Sequence, residues 1–82
     1  MKRSAVARLA AWLDSCPDDG SADRRVEIEV GVHQSAHVVV FLQESREVDG
    51  APRFRDRQGA GRTLAQAIKT ALARRGRWKR SP

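Results

Sequence analysis

Residues 25–43 read Arg-Val-Glu-Ile-Glu-Val-Gly-Val-His-Gln-Ser-Ala-His-Val-Val-Val-Phe-Leu-Gln. In the first part, Val26, Ile28, Val30 and Val32 alternate with Glu27 and Glu29. A two-residue period sends the aliphatic side chains to one face of a strand and the carboxylates to the other. The spacing predicts a half-buried strand over 25–32. Residues 37–43 are apolar without alternation from Val38 to Leu42, which predicts a strand covered on both faces, at the centre of a sheet. Residues 33–36 connect the two as a hairpin, and Phe41, if fully buried, would carry much of the core's stability.

Beyond this pair, Asp49-Gly50 is the preferred chemistry of a tight two-residue hairpin turn. A third strand is therefore expected near Arg53 to Arg57, with Pro52 at its start, where a missing N–H does least harm. On such a strand Arg53, Arg55 and Arg57 point one way, and Phe54 and Asp56 the other.

The flanks are helical. Val6, Leu9, Ala10 and Leu13 recur at helical spacing over residues 4–15, with Ser4 as N-cap and Pro17 as terminator. Gln58-Gly59-Ala60-Gly61 reads as a flexible linker. Thr63 and Gln66 then form a capping box, followed by the apolar stripe Leu64, Ala67, Ile68, Ala71 and Leu72. Gly76 stands where a helix C-terminal glycine is expected. The sum is a small α+β domain of order α-β-β-β-α over residues 1–76: a three-stranded antiparallel sheet with two helices on one face, and a loose basic tail over 77–82.

Charge is divided along the chain. Residues 1–49 carry six basic and nine acidic residues, a balance of −3; residues 50–82 carry ten basic residues against Asp56, a balance of +9, and the whole chain is +6. Such asymmetry implies an acidic partner. The candidate contact residues are Arg53, Arg55, Arg57, Arg62, Lys69, Arg74, Arg75, Arg77, Lys79 and Arg80. Arginine pairs bidentately with phosphate oxygens, and Trp78, set among them, offers a ring for base stacking. The competing explanation is internal: Glu27, Glu29, Glu44 and Glu47 lie where cross-strand pairing with arginines is possible. A net +6 leaves that neutralisation incomplete.

Other motifs exclude chemistry. His33 and His37, four apart around a hairpin, lack the further ligands a metal site needs. Cys16 falls at a helix C-terminus, where the dipole disfavours a thiolate. It is the single cysteine among 82 residues, which excludes an intramolecular disulfide and fits a reducing, cytoplasmic setting. Asp18, Asp19 and Asp23 lack calcium-loop spacing. Gly59-Ala60-Gly61-Arg62-Thr63 lacks the lysine of a phosphate-binding loop and reads as linker plus cap. No apolar run reaches the roughly 18–20 residues of a membrane span. Near the start, Arg8 and Asp14 break the stretch that a signal peptide requires.

The α-β-β-β-α order, His37-x-x-x-Phe41, and Gly59-x-Gly61-x-Thr63 leading into a helix with Ala67 and Ala71 are similar to the double-stranded-RNA-binding domains. That family binds phosphate through lysines at the start of its second helix. The corresponding places here hold Leu64, Ala65 and Ile68, so the likeness is one of topology.

The resulting expectation is a non-enzymatic binding module without metal or cofactor, contacting DNA or RNA phosphates through its C-terminal third. The alternative is a protein-interaction module, of the kind found among phage and mobile-element accessory proteins that inhibit host defence, docking on an acidic protein. An apolar surface of Val39, Phe41 and Leu42 would serve such docking, or a homodimer packed sheet on sheet.

Overall fold

A computed structural model describes residues 4–31 and 37–80. The order is α1 (Ala5–Asp14), β1 (Ala22–Val30), β2 (Val38–Val48), β3 (Ala51–Gly61), α2 (Leu64–Ala73) and β4 (Lys79–Arg80). The strands form one antiparallel sheet in the order β1-β2-β3-β4. Val32, His33 and the rest of the 33–36 connection lie outside the described residues.

The class is α+β, as the sequence predicts, with a sheet of four strands rather than three. Asp49 and Gly50 both take positive φ, 54° and 77°, and close a two-residue turn that sets Val48 opposite Ala51. The strands it joins are longer than predicted. β2 continues to Val48. β3 runs through Gly59, Ala60 and Gly61, so the expected linker is strand. The reason is steric. A Cβ on Gly59 would collide with Ala67 O and Ala71 N and lie 2.8 Å from Ala71 Cα; one on Gly61 would lie 2.7 Å from Gln66 Cβ. These glycines let α2 rest directly on β3.

Register fixes the two faces. Val26 faces Leu42, and Leu42 faces Arg57; Arg24 faces Glu44, and Glu44 faces Arg55. The helices cover the face bearing Val38, Val40 and Leu42, where Ala5, Leu9, Ala67, Ile68 and Ala71 complete the core. Val40, Leu42, Ala67 and Ala71 are fully enclosed. Phe41 is half-buried on the opposite, open face beside β3's Gln58, so it is not fully buried and the core is aliphatic.

Further differences have the same origin. Ile28 and Val30 are 44% and 70% exposed, because α2 packs over β3 and β2 while β1 overhangs; only Val26 reaches the core. Two ten-residue helices, about 15 Å each, are too short to roof the whole sheet. α1 turns Ala5, Leu9 and Trp12 inward and leaves Val6 and Leu13 outside. Its cap is as predicted: Ala7 N–H donates to Ser4 Oγ at 3.1 Å. Thr63 Oγ1 caps α2 by accepting from Gln66 N–H at 3.2 Å, and Gln66 Oε1 accepts from Arg62 N–H at 3.0 Å. α2 ends at Ala73 with Arg74 extended, so Gly76 is not its terminal glycine. Gly76 instead crosses β3, where a Cβ would meet Arg55 Cγ at 3.0 Å and Arg57 Cγ at 3.1 Å. Within the segment expected to be a loose tail, Lys79 pairs with Phe54 and Arg80 with Arg53.

Candidate functional site

Alternation along the strands segregates charge between the faces. Arg24, Glu44, Arg46, Arg53, Arg55, Arg57 and Arg80 fall on the helix side of the sheet; Asp23, Arg25, Glu27, Glu29, Glu47, Asp56 and Lys79 fall on the open side. One side is therefore arginine with a single carboxylate. The other is acidic around Phe41 and Phe54.

The single carboxylate is the hub of the helix side. Glu44 is 6% exposed. Its Oε1 accepts from Arg55 Nε at 2.9 Å, Arg55 Nη2 at 2.6 Å and Arg57 Nη2 at 3.0 Å, and Arg24 Nε stands 3.6 Å from Oε2. Each arginine also reaches a helix end. Arg24 Nη1 donates to Trp12 O and Ser15 Oγ at the end of α1. Arg57 Nη1 donates to Arg74 O at 3.1 Å, with a longer 3.5 Å contact to Leu72 O, and Arg55 Nη1 donates to Arg75 O at 3.2 Å. Carbonyls at helix C-termini lack intrahelical partners and carry partial negative charge, so cations there are stabilising. Glu44 thus ties the ends of both helices to the sheet through three guanidinium groups. Burial pushes the Arg57 guanidinium below its ordinary value; Glu44 opposes this, while Arg55 and Arg24 add to it.

The tryptophans pack onto the same cations. Arg24 and Arg57 lie 5.1 and 5.5 Å from the Trp12 ring centroid, and Arg46 and Arg55 lie 4.0 and 4.6 Å from that of Trp78. Trp78 therefore already has cationic partners and is half-buried.

The candidate residues divide accordingly. Arg55 and Arg57 face inward onto Glu44, with side chains 22% and 9% exposed. Arg53 is half-buried, and its Nε is buried without a hydrogen-bond partner among the described residues. Arg62, Lys69, Arg74, Arg75, Arg77, Lys79 and Arg80 are exposed, and none makes an ion pair among the described residues. Arg46 is an addition: exposed, stacked on Trp78 and directly opposite Arg53.

The remaining candidates are dispersed. Among the described residues no three of His, Cys, Asp or Glu gather at metal-binding distance. Cys16 is half-buried and His37 exposed. No helix is long and apolar enough to cross a membrane. The apolar surface expected from Val39, Phe41 and Leu42 does not form: Leu42 belongs to the core, and Val39 is 2% exposed. Comparison with protein-family models, curated proteins and solved structures found no match to the chain.

Proposed function

We propose that the protein is a non-enzymatic module that binds nucleic acid through phosphate contacts made by Arg62, Lys69, Arg74, Arg75, Arg77, Lys79 and Arg80. One observation carries this reading. Once Glu44 has engaged Arg24, Arg55 and Arg57, these exposed cations have no ion pair among the described residues. The sheet's other acids stand on the opposite face. A polyanion approaching from the helix side meets attraction; one approaching the open face, where Lys79 lies, also meets Glu27, Glu47 and Asp56. On this reading the charge sorting favours approach from the helix side.

The test is anisotropy of a labelled duplex or single strand titrated with wild type and with the Arg74→Glu, Arg75→Glu, Arg77→Glu variant. The carbonyls of Arg74 and Arg75 remain to accept from Arg57 and Arg55, so the reversal leaves the Glu44 hub in place. Wild-type affinity should fall by about 0.9 log units per log unit of salt for each duplex-DNA phosphate engaged. The variant should lose affinity and show a shallower slope. No wild-type binding at low salt, or a stoichiometric protein complex that survives nuclease, would replace this reading with docking on an acidic protein.

A further inference from the structure

Arg46, Arg53 and Arg80 stand in register across β2, β3 and β4, Arg46 opposite Arg53 and Arg53 opposite Arg80. All lie on the helix side of the sheet, at the end that the helices do not roof. Like charges directly opposite one another in a sheet are destabilising, and a compact domain has little reason to set three in a row. The usual remedy, a carboxylate paired with them, is not found among the described residues. Glu44 is taken by other arginines, and Asp49, on the turn, lines the same concavity as Pro52, Arg53 and Arg80.

Two observations indicate that the row is held in place rather than splayed. The Arg46 guanidinium is stacked 4.0 Å from the Trp78 ring centroid. Arg53 is half-buried. Strand spacing of about 4.8 Å spreads the three stems over about 10 Å, comparable with the axial rise of about three nucleotides of one duplex strand at about 3.4 Å of helix axis each.

We infer that the Arg46–Arg53–Arg80 row is a preformed seat for the phosphates of a nucleic-acid strand. The assignment rests on the nucleic-acid reading above and names the part of the surface where the backbone is gripped. The exposed cations from Arg74 to Arg77 contact further phosphates beside the row.

The test uses Arg53→Gln, the middle of the row, with Arg53→Lys as the charge-conserving control. Two measurements are made on each: melting in inorganic phosphate against chloride at matched ionic strength, and oligonucleotide binding as a function of salt. Phosphate should raise the melting temperature of wild type and of Arg53→Lys more than that of Arg53→Gln. Arg53→Gln should melt no lower than wild type in chloride, yet bind the oligonucleotide about eightfold more weakly near 0.1 M salt, the loss of one phosphate contact. Oligonucleotide binding that Arg53→Gln leaves unchanged, in affinity and slope, would overturn the row while sparing the broader reading. Row-dependent stabilisation by phosphate with no oligonucleotide binding by wild type would overturn the nucleic-acid occupant and the broader reading together.

Discussion

Glu44 accepts three hydrogen bonds from Arg55 and Arg57 while its side chain is 4% exposed. Removing one partner of a buried ionic cluster leaves the others uncompensated, which costs about 3–5 kcal/mol. Glu44→Gln should therefore remove a large share of the stability of a domain this small, read as a drop in the urea midpoint with the m-value unchanged. A midpoint within experimental error of wild type would show that solvent already shields the three arginines. Asp19 provides a second, milder case. Ser21 donates to its Oδ1 through the hydroxyl at 2.5 Å and the backbone N–H at 2.9 Å, which holds the carboxyl below the ordinary 3.8. Its folded value is depressed, so the unfolded chain binds the proton first. The contribution is present above the unfolded value and is lost as pH falls through the folded one. Asp19→Asn should flatten that acid limb by slightly lowering stability at neutral pH, while leaving stability below the folded value nearly unchanged in urea melts across pH.

At the scale of elements, the β2–β3 hairpin and the seating of α2 carry the fold. Gly59→Ala places a methyl group against the backbone of α2 at Ala67 and Ala71. The helix must lift, at a cost of about 1–3 kcal/mol. For a domain of this size each kcal/mol lowers the melting temperature by about 4–8 °C, so calorimetry resolves the effect easily; an unshifted transition would mean that α2 slides without loss. The hairpin was legible in advance. Asp49-Gly50 names a two-residue turn, and setting Val48 opposite Ala51 forces Glu44 opposite Arg55 and Arg46 opposite Arg53. The charged cluster and the arginine row were thus both implicit in the sequence, although Arg46 escapes a reading that looks only at the basic C-terminal third. Gly59-Ala60-Gly61 was not legible. Glycine marks a flexible connection and a close backbone approach alike, and only the helix lying across it distinguishes them. The facing of α1 was hidden for a similar reason: Val6 and Leu13 are as apolar as Leu9, and what α2 leaves room for decides which are covered.

Across the whole molecule, charge is sorted by face. Acids gather on the open side and arginines on the helix side, and the chain is +6 overall. Mutual repulsion among the exposed cations opposes compaction, while the buried Glu44 cluster is poorly screened. Raising sodium chloride from about 20 mM to about 500 mM should therefore raise the melting temperature. A fall would indicate that exposed ion pairs such as Arg25–Asp23, at 3.0 Å, contribute more than the repulsion. Under the proposed nucleic-acid reading, affinity would respond to salt in the opposite direction from the stability of the fold.

The sequence by itself determined the α+β order, the alternation of strand faces, the Asp-Gly register and the surplus of positive charge, because each depends on neighbours a few residues apart. Tertiary structure alone decided which arginines remain outside. Arg53, Arg55 and Arg57 share one strand and one face, yet Arg55 and Arg57 lie under the ends of the helices beside a buried carboxylate, and Arg53 lies past them. Two short helices end where they do, and that boundary separates arginines held on Glu44 from one that makes no ion pair among the described residues.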